Sequence, residues 1–181
     1  MERHQAERDG VPDSDFASLV REHQTMVFSI ALHYLGDRSV AEEVAQEVFL
    51  QLYRHSGGWD SPEHRTAWLR RVACHRAIDC ARSRRLEPRL GLEGLPEPAA
   101  VPVSTDPLLG ARLRKLIDGL GEKARMVMIL RFQEELEPEE IARTLEIPVN
   151  TVKSHLQRSL ALLREKLGRL NERVESAGER R

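Results

Sequence analysis

The sequence predicts two small all-α domains joined by a flexible connector, and three observations carry that reading. Only 4% of the 181 residues are aromatic and runs of Val, Ile, Thr and Tyr are scarce, so a sheet lacks its usual material. Apolar residues instead recur three or four apart over long stretches, the period of helices with one buried face. Residues 86–107 (LEPRLGLEGLPEPAAVPVSTDP), with five prolines and two glycines, break that period in mid-chain.

A first helix over 14–35 aligns Phe16, Leu19, Val20, Val27, Ile30, Ala31 and Tyr34, and Gly36-Asp37 stops it. A second is expected from Ser39 as N-cap to His55, with Val40, Ala41, Val44, Ala45, Val48, Phe49 and Leu52 inward and Gly57-Gly58 as its end. Trp59 to Arg65 reads as a polar loop. A third helix from Thr66 turns Trp68, Leu69, Val72, Ala73, Ala77 and Ile78 inward and ends in an arginine cluster at Arg85. Beyond the connector, short helices are expected over Leu108–Leu120 and Lys123–Glu134, then a pair over Pro138–Glu146 and Pro148–Leu170. The domains are thus 14–85 and 108–170, with disordered tails at 1–13 and 171–181.

The last pair has the packing logic of a helix-turn-helix. Ile141 and Leu145 face one way, Ala142 allows a close crossing, and Pro148 suits the first turn of the second helix. That helix buries Val152, Leu156, Leu160, Leu163, Leu167 and Leu170 and leaves Asn150, Thr151, Lys153, Ser154, Gln157 and Arg158 on the other side. All six form hydrogen bonds, and these are residue types that read base edges and fix phosphates.

Charge points the same way. The formal net charge of -1 conceals segregation: residues 1–60 carry 5 basic and 11 acidic groups, 61–89 carry 8 and 3, and 147–170 carry 5 and 1. Two basic islands in otherwise amphipathic helices are the footprint of a polyanion, whose condensed counterions they displace. An αα-hairpin with a polar outer face would leave that excess unexplained.

Other classes are excluded. No apolar run approaches the ~18 residues needed to span a bilayer, and MERHQAERDG has no signal-peptide core, so a cytoplasmic protein without membrane insertion is expected. Cys74 and Cys80, six apart on one helix, cannot form a disulfide, and no metal-ligand or cofactor spacing occurs. Cys74 and His75 diverge by ~100° on a helix and do not make a nucleophile–base pair, so no enzymatic activity is expected.

Three motifs in order, EEVAQEVFLQLYRH, WLRRVACHRAIDCARSRR and TVKSHLQRSLALLREKL, resemble those of the extracytoplasmic-function sigma factors, promoter-specificity subunits of bacterial RNA polymerase. The resemblance spans about 14–170. It implies a region 2 bundle, a linker and a region 4 helix-turn-helix, no cofactor, and promoter-specific initiation for a stress or envelope-response regulon. Its implied partners are core polymerase, through the β′ clamp coiled coil and the β flap, promoter DNA and an anti-sigma factor.

By position, the resemblance gives Glu43, Gln46 and Glu47 to the clamp. It gives the loop Ser61–Arg65, with His64 and Arg65, and the helix residues Arg70, Arg71, His75, Arg76, Arg82, Arg84 and Arg85 to the minus-ten strand. Asn150, Thr151, Lys153, Ser154, Gln157 and Arg158 fall to the minus-thirty-five element. Trp68 is expected in the core rather than as a stacking platform. The chain departs from the family pattern at Glu43 for Asp, His75 for Asn, Glu146 and Asn150 for Gly, and His155 for Arg. The change at His155 implies weaker or pH-dependent phosphate contact near pH ~6.5. TVKSH also resembles LuxR-type regulators, which act without joining the polymerase, but such proteins have no need of the middle motif.

Overall fold

Residues 13–55, 59–86, 116–117 and 119–178 are described in a computed structural model, with side chains for 16–55, 59–85, 116–117 and 119–168. The expected connector past Leu86, the short helix over 108–120 apart from 116–117 and 119–120, the Gly57-Gly58 stop and the side chain of Leu170 lie outside these. The chain divides into two compact units, Met1–Ala100 and Val101–Arg181. Among the described residues all regular structure is helical.

The first unit packs three helices on one another, α1 (Asp13–Leu35), α2 (Arg38–Arg54) and α3 (Pro62–Leu86). Its core takes Val27, Ile30, Ala31, Tyr34, Val40, Ala41, Val44, Val48, Phe49 and Leu52 of the predicted faces of α1 and α2, while Phe16, Leu19, Val20 and Ala45 of those faces are only half-buried. Gly36, at φ +70°, ends α1, its N–H meeting the carbonyl of Leu32 at 2.8 Å. The N-cap of α2 is Asp37 rather than Ser39, because the Asp37 carboxylate accepts from the Val40 N–H at 3.1 Å.

Helix α3 starts earlier than expected and is rolled by about one residue. Ser61 caps it, its hydroxyl accepting the His64 N–H at 3.1 Å, and Pro62 takes the first helical position. His64 and Arg65 therefore stand in the first helical turn, not in a loop. The enclosed face is Leu69, Ala73, Cys74, Ala77 and Ile78, while Trp68 and Val72 are only half-buried.

In the second unit α4 (Glu122–Phe132), α5 (Pro138–Leu145) and α6 (Val149–Gly178) pack on one another. Met126 to Leu130, Ile141, Ala142, Leu145, Val152 and Leu163 make the core. Leu156, Leu160 and Leu167 of the expected stripe are half-buried and Ser159 is buried instead. Arg131 fastens the α4–α5 turn, donating to the Leu136 carbonyl at 3.0 Å and the Glu137 carboxylate at 2.8 Å. Glu140 reaches back to the Glu137 N–H at 3.0 Å to complete a capping box.

Pro148 lies just before α6 and acts as its cap, its carbonyl accepting from Thr151 and Val152 at 2.9 and 3.2 Å, rather than standing in the first turn. Helix α6 also continues past Leu170 to Gly178, so residues 171–178 of the expected disordered tail are helical. Glu172, Arg173, Glu175 and Ala177 are good helix formers, which a reading tied to the leucine stripe passes over.

Candidate polymerase and nucleic-acid interfaces

Glu43, Gln46 and Glu47 are exposed on one face of α2, as their spacing requires. Spacing alone does not reveal that this face continues as apolar surface. Leu50, one turn past Gln46, is 50% exposed, and Tyr53 is 45% exposed with its ring edge-on to Phe16 at 5.1 Å. Beside them runs an open groove of ≈ 730 Å³ between α1 and α2, lined by Val20, Phe28, Ala45, Phe49 and Leu50, with Gln46 on its rim. A polar strip bordering an apolar groove suits a helix with an apolar stripe and basic flanks.

The residues assigned to the minus-ten strand separate into two groups. At ~100° per residue, His64, Arg71, His75 and Arg82 fall within roughly 20° of one line along α3. His64, His75 and Arg82 are exposed there and Arg71 half-buried. His64 pairs with Asp60 at 3.3 Å and Arg82 with Asp79 at 3.6 Å, both within the local helical turn or its approach.

Three other arginines are turned toward neighbouring helices. Arg65 approaches Glu22 of α1 at 4.0 Å, Arg84 approaches Asp37 at 3.6 Å, and Arg76 donates to the Glu47 carboxylate. Arg70 is half-buried and Arg85 exposed near the end of α3. Around half-buried Cys80 the charged neighbours are Arg84, Glu47, Glu43 and Arg76; burial first, then the two carboxylates, pushes its thiol upward.

An aromatic cluster flanks the stripe. Trp59 lies tilted against His55 at 4.7 Å and edge-on to Trp68 at 5.2 Å and to His64 at 5.9 Å. Trp68 thus belongs to this half-buried surface group and not to the core, because the roll of α3 gives the interior to Leu69. A tryptophan three residues before a Ser-Pro helix start was the available signal.

In the second unit Asn150, Lys153, Gln157 and Arg158 are exposed and Ser154 half-buried on one arc of α6, with Thr151 half-buried at its flank. Lys153 lies 3.4 Å from Glu139 of α5. The Glu139 carboxyl is held below the usual carboxylate range, first by its own backbone N–H and then by Lys153. His155 is not on this arc. It is half-buried, and burial, then Arg158 and Lys123, lower it from its ordinary 6.5.

The first unit thus carries an acidic and apolar strip on α2 beside a basic stripe on α3, and the second a polar, basic arc on α6. The Sigma-70 region 2 family matches residues 19–87 and the Sigma-70 region 4 family residues 110–163. An ECF RNA polymerase sigma factor of Bacillus subtilis, SigW, is 30% identical over 84% of this chain and 88% of its own. The RNA polymerase sigma-E factor of Streptomyces avermitilis is 34% identical over 84% of this chain and 85% of its own. The fold is that of CnrH in its complex with the cytosolic domain of CnrY (TM-score 0.64, 20% identity, covering 87% of this chain and 90% of CnrH). It is also that of RpoE of Bartonella quintana in complex with the anti-sigma factor NepR (TM-score 0.60, 17% identity, 86% and 98%). The chain belongs to the extracytoplasmic-function sigma factors. The region 2 match does not favour a LuxR-type regulator.

Proposed function

We propose that this chain joins core RNA polymerase in the cytoplasm and directs it to a set of promoters, with no catalytic step of its own. Glu43, Gln46, Glu47 and Leu50 dock on the β′ clamp coiled coil, whose helix lies in the α1–α2 groove, and the second unit meets the β flap. The stripe His64, Arg71, His75 and Arg82, with the neighbouring arginines, follows the phosphates of the unpaired minus-ten strand, and the Trp59–Trp68 cluster offers faces on which bases stack. Unstacking a base costs a few kcal/mol, which stacking on a tryptophan at about 1–3 kcal/mol per base offsets. Asn150, Lys153, Ser154, Gln157 and Arg158 read the minus-thirty-five element in the major groove.

The observation that carries this reading is the separation of surfaces in one small unit, an acidic and apolar strip on α2 and a basic stripe on α3. Neither alone distinguishes a sigma factor from a simple DNA-binding protein. An anti-sigma factor that covers the α2 strip would block the first surface, in keeping with the complexes of the structural relatives.

Run-off transcription by bacterial core polymerase on a fragment library, with and without the chain, tests it. Start sites that appear only with the chain, sharing a two-element sequence upstream, are expected. Binding to duplex fragments with no effect on polymerase would reject it.

A further inference from the structure

Glu47 is the one acid of the docking strip that also holds an arginine of the strand-facing helix. Its carboxylate accepts from Arg76 across the α2–α3 seam, 29 residues away in sequence. Two further pairs between helices of the first unit, among the described residues, use acids outside the strip: Asp37, which also caps α2, holds Arg84, and Glu22 of α1 holds Arg65. Both side chains keep access to solvent, at 39% for Arg76 and 49% for Glu47, and so either can be taken up by an outside partner.

We propose that the Glu47–Arg76 pair is a clasp that couples the two surfaces: polymerase docking draws Glu47 onto basic side chains of the clamp and releases Arg76 to the phosphates of the opened strand. The proposal rests on the reading of α2 as the polymerase face and α3 as the strand face. In the free chain the clasp withholds one positive charge from nucleic acid. Breaking it once serves both partners, so the coupling is reciprocal, and the strand tightens the grip on polymerase by the same factor. An exposed pair of this kind limits that factor to about two- to five-fold.

The test measures binding of a labelled single-stranded oligonucleotide of mixed sequence as a function of salt, with the full chain free and bound to core polymerase. Each phosphate neutralised on a single strand contributes about 0.7 to the slope of log K against log salt. In the free chain Glu47→Gln is expected to tighten binding two- to five-fold and steepen the slope by about 0.7. Arg76→Gln should change nothing there, and the double variant should lose the gain. In the holoenzyme the order reverses: Arg76→Gln flattens the slope by about 0.7, while Glu47→Gln, at concentrations that saturate polymerase, matches the unaltered chain.

Equal flattening by Arg76→Gln in both states would overturn the clasp while leaving both surfaces as assigned. The surface readings fail differently: Glu47→Gln without effect on polymerase affinity removes Glu47 from the docking face. Arg76→Gln silent in both states removes Arg76 from the strand. Either result also overturns the clasp.

Discussion

Glu146 holds the turn between α5 and α6 at φ 53°, in the left-handed region, so that the Ile147 N–H can close on the Ala142 carbonyl at 3.1 Å. An L-residue there is crowded against its own carbonyl, and glycine is not. Glu146→Gly is expected to stabilise the second unit by about 0.5–1 kcal/mol, after the larger entropy of glycine in the unfolded chain is subtracted. Urea unfolding followed by far-ultraviolet circular dichroism checks this; a loss of stability would mean that the Glu146 side chain contributes more than its backbone costs.

His23 raises a second question at this scale. It is buried on α1, 3.7 Å from Glu22 and within reach of the Arg65 and Arg70 charges, and its Nε2 has no hydrogen-bond partner. Burial, outweighing Glu22 and helped by the two arginines, lowers it from 6.5. Because the folded value lies below the unfolded one, the unfolded chain takes the proton first. Stability is therefore full above pH 6.5 and declines as pH falls through the interval below it. Both tryptophans, Trp59 and Trp68, stand in the first unit, so their fluorescence isolates its unfolding. His23→Leu is expected to flatten the decline between pH 6.5 and 5; an unchanged slope would place its source elsewhere.

At the scale of elements, exposed Leu50 extends the acidic strip of α2, and its replacement separates docking from folding. Leu50→Lys should leave stability within about 0.5 kcal/mol, since the side chain is half in water already. It should weaken core polymerase binding by about tenfold or more, as loss of an apolar anchor at an interface centre does. A pull-down titration with core polymerase, read beside a melting curve, decides between these effects; retained affinity would move the groove out of the docking site. The polar part of this surface was legible in the sequence, because Glu43, Gln46 and Glu47 share a face by spacing alone. Leu50 was not, since its exposure depends on where α1 stops covering α2. The same holds for α3. Its existence followed from period, but its start was hidden in Ser61-Pro62, and the roll that brings Trp68 outward follows from packing against α1 and α2. Arg76 and Lys153 were legible as basic residues, whereas their acidic partners Glu47 and Glu139 are visible only once helices are placed side by side. The departure at His155 read as a weakened phosphate contact; in the structure His155 is half-buried beside the arc rather than on it.

For the whole molecule, each unit has its own core and its own basic helix, and a proline-rich stretch lies between α3 and the helices of the second unit in the sequence. We expect the separation between two promoter elements to follow how far that proline-rich stretch reaches. A proline-rich chain in the polyproline II form advances about 3.1 Å per residue, close to the ~3.4 Å rise of one base pair. Shortening the stretch by several residues should thus shift the preferred spacing by up to about the same number of base pairs, and by less if the stretch holds slack in the holoenzyme. Replacing its prolines with glycine and serine at constant length should instead broaden the spacings tolerated, because a flexible coil samples many end-to-end distances. Run-off transcription on promoters that differ only in spacer length separates the two effects. A shifted optimum in the shortened chain and a widened one in the glycine–serine chain are expected. Identical spacing profiles in all three chains would assign the spacing to polymerase, which would then fix the two units at set positions regardless of what connects them.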